Sequence, residues 1–210
     1  AITADGRYEV FWGDATNLAP GGSTLNQVFR KDLVTEEVML VSCVAGNNQG
    51  DGTSRDVSIS DSGRYVSFAS QAQNLITGGT TNTQVFRKDV DTGEVWLCSS
   101  DASGNEGGSS SSSTNISPDG TYIAFESNSS NLVPGGTSGF EVFRKNVETQ
   151  EIELCSANAS GDESDANSFF PSMSSDGRFV AFYSAAGNPV PGSTTNWQVF
   201  RKDLESKEVV

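Results

Sequence analysis

The stretch Ser60-Asp61-Ser62-Gly63-Arg64-Tyr65-Val66-Ser67-Phe68, continued by Gln84-Val85-Phe86-Arg87-Lys88-Asp89 and Gly93-Glu94-Val95-Trp96-Leu97, decides the fold because the chain writes it four times. Phe29, Phe86, Phe143 and Phe200 stand 57 residues apart, and so do Gly6, Gly63, Gly120 and Gly177. The same step carries Arg30-Lys31 to Arg87-Lys88, Arg144-Lys145 and Arg201-Lys202 with no insertion or deletion. Self-similarity at a fixed period marks an architecture of stacked units, none of which buries its apolar face alone.

Within a unit the pattern is all-β. A short first strand ends in a turn, as in Ile2 to Gly6, Ile59 to Gly63, Ile116 to Gly120 and Met173 to Gly177. Asp-Gly and Ser-Gly pairs supply the positive φ that such turns need. A second strand carries Phe11, Phe68, Phe125 or Phe182 at one phase, and the third carries Phe29, Phe86, Phe143 or Phe200; these eight rings are the expected core. A turn-rich connection from Asn17, Asn74, Asn131 or Asn188 joins the two, and a reversal such as Asp91-Thr92-Gly93 leads into a fourth strand. Four antiparallel strands and a polar crossover, repeated, describe a β-propeller blade. The sequence therefore predicts a single repeat domain over 1–210, with blades near 1–57, 58–114, 115–171 and 172–210, the last cut short.

The pattern resembles TolB-like β-propeller repeats of bacterial proteins. Ser174, Asp176, Gly177, Arg178, Phe179, Val180 and Phe182 carry the likeness in the last unit. In the second it rests on Arg64, Tyr65, Val66, Phe68, Asn74, Leu75, Val85, Phe86, Asp89, Thr92, Gly93 and Glu94. The resemblance implies a bacterial periplasmic or extracellular protein with a role in binding and assembly. Long-repeat relatives often place acids in the middle loop and before the Val-Phe pair, where a divalent ion could sit. Here Gly22, Gly79, Gly136 and Ser193 occupy the loop, and Gln27, Gln84, Glu141 and Gln198 precede the strand, which argues against calcium there.

Composition narrows the function classes. Twenty-seven acidic against 13 basic side chains give a formal charge of −14, and the Lys and Arg recur singly instead of forming a patch, which disfavours a nucleic-acid partner. No long apolar run predicts a membrane span and no signal peptide is visible at Ala1. Cys43, Cys98 and Cys155 are odd in number; Cys98 and Cys155 occupy equivalent points of neighbouring units. Sheets packed about 10 Å apart hold such positions too far for a disulfide, so buried strand thiols are expected, with intermolecular pairing as the alternative.

Catalysis finds little support. The chain has no histidine, which removes the usual base of serine and cysteine nucleophiles and the commonest zinc ligand. Asp119-Gly120 and Asp176-Gly177 lack the spacer residue of a sialidase Asp-box, and no catalytic set breaks the repeat. The Arg-Lys pairs are expected to be structural, one member of each meeting an acid such as Asp32, Asp89 or Asp203 across a blade junction. Crossover loops hold oxygen-rich sets, Asp51 with Asp56, Asp101 with Asn105 and Glu106, and Asp162 with Glu163, Asp165 and Asn167. Calcium accepts such oxygens, yet the spacing varies from copy to copy and a solvated loop is the plainer reading. Asn115, Asn128 and Asn158 open glycosylation-type triplets, which arise easily in a Ser-rich chain.

Phe140 and Trp197 share a phase at which the first two units have Asn26 and Thr83, and exposed rings there could stack on a sugar or a partner chain. The sequence thus points to a non-catalytic extracellular propeller acting as a self-associating scaffold or interaction module, with no cofactor. A carbohydrate-binding adhesin module and the accessory propeller of a secreted hydrolase are the alternatives.

Overall fold

The computed structural model describes residues 1–18, 25–44, 48–192 and 195–210. Gly22 and Ser193 of the middle loops lie outside the described residues. The described chain is all strand and turn. The first sheet runs β1 (Tyr8–Gly13), β2 (Gln27–Asp32), β3 (Val38–Leu40), and a ribbon of β4 (Cys43–Val44) and β5 (Asn48–Gln49) leads out of it. The second runs β6 (Ser54–Ile59), β7 (Tyr65–Ser70), β8 (Gln84–Asp89), β9 (Val95–Leu97). The third runs β10 (Ser111–Ile116), β11 (Tyr122–Ser127), β12 (Glu141–Asn146), β13 (Ile152–Leu154). The fourth runs β14 (Ser168–Met173), β15 (Phe179–Ser184), β16 (Gln198–Asp203). All pairings are antiparallel meanders, and isolated bridges, Ile2 with Glu9 and Lys202 with Val209, stand at the margins of the first and fourth sheets.

The first strand of the second, third and fourth sheets starts at Ser54, Ser111 and Ser168, upstream of the Ile59, Ile116 and Met173 read from sequence. A bulge hides it. Register slips between Arg55 and Ser58, Ser112 and Asn115, and Phe169 and Ser172, with φ of 52°, 51° and 54° at Asp56, Ser113 and Phe170. Each bulge breaks the period-two alternation by which a strand is recognised.

The phenylalanine pairs face one another across the central ladder. Phe11 opposes Phe29, Phe68 opposes Phe86, Phe125 opposes Phe143 and Phe182 opposes Phe200, with ring centroids 5.7, 5.9, 5.8 and 5.6 Å apart. Seven of the eight are buried, each contributing roughly 1.5–3 kcal/mol of apolar burial. Phe11 is only half-buried, with no described sheet packed in front of it, while Phe29 opposite it on the same face is 1% exposed. Val10 and Val28 cover Phe68 and Phe86; Ala69 and Val85 cover Phe125 and Phe143; Val142 covers Phe182 and Phe200. The sheets therefore stack in chain order, and among the described residues the first and fourth share no packed face.

Each junction repeats one device, and it uses backbone carbonyls where ion pairing across the junction is expected for the Arg-Lys strings; the acids that members of the strings do meet, Glu36 for Lys31 and Glu153 for Arg144, belong to their own units. The Arg guanidinium lies over a tyrosine of its own sheet, Arg30 4.4 Å from Tyr8, Arg87 4.5 Å from Tyr65 and Arg144 4.5 Å from Tyr122. It then donates to a turn carbonyl of the following sheet, that of Gly63, Gly120 or Gly177, at 2.6, 2.8 and 2.5 Å. The neighbouring lysine points the other way, as strand alternation requires. Lys88 donates to the Cys43 carbonyl at 2.7 Å, Lys145 to that of Asp101 at 2.8 Å and Lys202 to that of Asn158 at 2.8 Å, each reaching the preceding unit. Asp32, Asp89 and Asp203 pair within their own sheets, with Arg7, Arg64 and Arg178 at 2.9, 2.7 and 2.7 Å. Carbonyls take the inter-sheet role because a turn approaching end-on presents its backbone, and a buried ammonium is satisfied by two or three such oxygens.

Candidate functional site

Phe140 and Trp197, singled out by their phase, are brought together by a residue the sequence reading did not name. Phe169, on β14 just before the bulge, has its ring centroid 5.5 Å from that of Phe140 and 6.0 Å from that of Trp197. Phe170 follows at 6.1 Å, and Trp197 lies flat on Tyr183 at 4.7 Å and 15°. Five rings from the third and fourth sheets thus form one surface platform. Trp197 is 50% exposed and Phe170 68% exposed, whereas Phe140, Phe169 and Tyr183 are half-buried and brace them.

Backbone chemistry fixes the rings. Phe170 adopts its left-handed φ at the bulge, and its N–H donates to Glu126 at 2.9 Å; Ser112 Oγ donates to the same carboxylate at 3.1 Å. The Phe140 N–H donates to Asn167 Oδ1 at 3.0 Å. A signal for Phe169 and Phe170 was present: at their phases the third unit has Ser112 and Ser113 and the second has Arg55 and Asp56. The repeat is broken there, in favour of large apolar groups.

Beside Phe140 a cavity of about 350 Å³ is lined by Ser138, Gly139, Glu163, Asp165 and Asn167, among others. Glu163 accepts from the Ser138 N–H and hydroxyl, both at 2.8 Å. A second groove, of about 630 Å³, shares Glu163 and opens between Ile152, Leu154 and Leu204.

The four carboxylates considered for calcium are engaged in separate loop contacts. Asp51 accepts from the Gln73 N–H at 2.6 Å, and its equivalent Asp165 from that of Gly187 at 2.7 Å, each tying a crossover to the loop beginning at Asn74 or Asn188. Asp162 accepts from Asn158 Nδ2 at 2.9 Å inside a turn, and Asp56 sits at the bulge 3.8 Å from Arg55. Among the described residues no three His, Cys, Asp or Glu side chains are grouped as a metal would need. Cys43, Cys98 and Cys155 are buried free thiols. Among the described residues no helix is long and apolar enough to cross a membrane.

The architecture is similar to that of solved propellers. The chain matches TolB from Acinetobacter baumannii over 99% of its own length and 41% of that chain, at 18% identity and a TM-score of 0.55. It matches the β-propeller domain of the Trilobed protease from Pyrococcus furiosus over 100% and 55%, at 14% identity and a TM-score of 0.56. Against the tricorn protease the figures are 100% and 22%, 10% identity and a TM-score of 0.59. The chain thus spans well under two thirds of these proteins. No family model and no curated protein sequence matches it, so the likeness is one of fold.

Proposed function

We propose that this chain, a TolB-like β-propeller in fold, is a non-catalytic recognition module of four blades, located in the periplasm or outside the cell, that binds glycans on its aromatic platform. The platform is the observation that carries the reading. Rings present electron-rich faces, and the C–H face of a pyranose is their complement. Trp197, held flat by Tyr183, offers such a face, and the acid- and amide-lined cavity beside Phe140 offers acceptors for sugar hydroxyls. A contiguous exposed aromatic cluster on a chain this acidic has a cost in solubility that a ligand relieves. Catalysis by the chain has no support from its side chains: histidine is absent, and its buried cations bond to backbone carbonyls.

Calorimetric titration with a panel of neutral oligosaccharides tests the reading. Binding is expected for at least one of them and is expected to weaken at least tenfold in Trp197→Ala and in Phe140→Ala, with Trp12→Ala as an exposed-ring control that leaves it unchanged. No binding by the whole panel, or equal binding by Trp197→Ala, refutes it.

The likeness to the tricorn and Trilobed proteases favours a second reading, an accessory propeller that accompanies a peptidase. Peptide hydrolysis by the full-length gene product, retained when the platform is mutated, would favour this over glycan recognition.

A further inference from the structure

Gln27 and Gln84 tie the third strand of their units to the crossover loop that follows, and the third unit has a carboxylate in their place. Each glutamine takes a serine hydroxyl on Oε1, that of Ser42 or Ser99, both at 2.5 Å. Its amide nitrogen donates into the loop. Gln27 Nε2 reaches the carbonyls of Gly50 and Gly52 at 3.1 and 3.2 Å. Gln84 Nε2 reaches those of Gly107 and Ser109 at 2.9 and 3.2 Å and the Glu106 carboxylate at 3.1 Å. Glu141 keeps the serine contact, Ser156 donating to its Oε2. Its Oε1 therefore takes the place of the amide nitrogen, and the oxygens at the equivalent loop positions are the carbonyls of Ser164 and Ala166 and the carboxylate of Glu163.

Two buried oxygens are left without partners there. Glu141 and Ser168 are both fully buried, and neither Glu141 Oε1 nor Ser168 Oγ has a hydrogen-bond partner among the described residues. In the two preceding units the hydroxyls at the phase of Ser168 are paired, Ser54 with Ser70 at 2.8 Å and Ser111 with Ser127 at 2.9 Å. Ser168 lies near enough to act on the Glu141 carboxyl, and so does Glu163, whose charge opposes its ionisation. At these two phases the first unit has Gln27 and Gln49, the second Gln84 and Glu106, and the third Glu141 and Glu163, so the carboxylates rise from none to two. Glu141 has no exposed surface left, so no further segment of chain is needed to complete its surroundings.

A set of acceptors with no donor calls for a cation, since a buried carboxylate without one is costly. Carboxylate, carbonyl and hydroxyl oxygens are the hard ligands that calcium gathers in sets of about six to eight, whereas magnesium demands a near-ideal octahedron and keeps most of its water. The glutamines that disfavour calcium before the Val-Phe pair in the other units are absent from the third. The cavity of about 350 Å³ lined by Glu163, Ser164 and Ala166 gives the ion a way in and holds the waters that finish its shell. We propose that the third unit binds a calcium ion between Glu141 and the following crossover loop, with Glu141 Oε1 and the Glu163 carboxylate supplying the charge and the Ser164 and Ala166 carbonyls and the Ser168 hydroxyl completing the protein ligands. Only two of these are acidic side chains; backbone and hydroxyl oxygens make up the rest.

Calorimetry and thermal melting with calcium chloride test this, on protein stripped with a chelator and held at about pH 8, where the ligands can ionise. The wild-type chain is expected to bind one ion with a Kd on the order of 0.1 mM or tighter, and to melt several degrees higher in its presence. Glu141→Gln, which restores the amide of the first two units and so keeps the fold, is expected to lose both responses. Glu163→Gln is expected to weaken binding by about tenfold or more, and Glu106→Gln, the same change in the second unit, to leave it unaltered. No binding by the wild-type chain at millimolar calcium overturns the proposal and leaves a proton as the occupant. So does binding that persists in Glu141→Gln, which would put the ion elsewhere, or an equal response to magnesium.

Discussion

The ring of Tyr65 occupies the space that a side chain on Gly120 would need, a Cβ there standing 2.2 Å from Tyr65 Cδ2. The contact couples two demands on one residue. Gly120 has a φ of +82°, which non-glycine residues adopt at a cost of roughly 1–2 kcal/mol, and its bare Cα also lets the turn settle on the aromatic face. Gly93 shares the backbone demand, with φ of +81°, but has open space around its Cβ position.

Gly120→Ala is therefore expected to cost several kcal/mol and Gly93→Ala only about 1 kcal/mol, the difference being the displaced Tyr65 ring. Urea denaturation of the two variants checks it. Equal midpoints would mean that the junction gives way without cost and that the glycine is kept for its backbone alone.

Glu141 makes a second unit-specific test. In the first two sheets Gln27 and Gln84 stand at its place, their amides donating to the Gly50 carbonyl at 3.1 Å and the Gly107 carbonyl at 2.9 Å. Glu141 is fully buried, receives the Ser156 hydroxyl on Oε2, and has no hydrogen-bond partner on Oε1 among the described residues. Burial pushes its carboxyl up to about 8, against 4.5 in the unfolded chain. The folded state thus holds a proton that the unfolded state has released between those values, and stability falls as pH rises across that window. Glu141→Gln is expected to flatten this part of the profile and to raise stability at pH 9 by roughly 1–3 kcal/mol. A profile from pH 5 to 9 with the same slope in both proteins would show the carboxyl ionised in the fold.

The period made the stacking legible, since 57 residues of all-strand pattern with glycines in fixed phase admit little else. What the arginines and lysines bind was not legible. Arg87 and Lys88 find their partners through the approach of one sheet to the next, and a turn carbonyl such as that of Gly120 leaves no trace in a side-chain pattern. The platform was half legible. Phe140 and Trp197 stood out as departures from their phase, but Phe169 and Phe170 sit where a bulge and Pro171 interrupt strand alternation, so that stretch reads as loop. Phe11 has the phase of a core residue and stacks on the buried Phe29, and how much of its ring stays exposed depends on what packs beside it, which a strand pattern does not carry.

The Asp89–Arg64 pair predicts an acid limb. The Arg64 guanidinium and the N–H groups of Thr92 and Asp91 hold the Asp89 carboxyl down to about 2, from 3.8. Its contribution is present above 3.8 and is lost as pH falls through 2, the linkage running opposite to that of Glu141. The third unit shows how much of this is charge. Asn146 stands at the equivalent place, Thr121 replaces the arginine, and Asn146 keeps the turn bonds to the N–H groups of Glu148 and Thr149 at 2.9 and 3.0 Å. Since Arg64 is partly exposed, Asp89→Asn is expected to cost no more than about 1 kcal/mol at pH 7 and to shrink the loss below pH 4. A cost of several kcal/mol would assign the pair a larger share of the fold than the third unit implies.

The thiols supply the last test, because their burial depends on the junctions. Cys98 and Cys155 are packed in the second and third junctions, and burial pushes each up to about 12; Cys43 is raised by the same cause. Thiolate, the reactive form, is negligible at pH 8 for such groups. A disulfide-exchange reagent is therefore expected to leave all three unmodified in the native protein over hours and to titrate three in urea. Native labelling of Cys98 at the rate of a free thiol would mean that the junction between the second and third sheets opens far more often than its fully buried Phe125 and Phe143 allow.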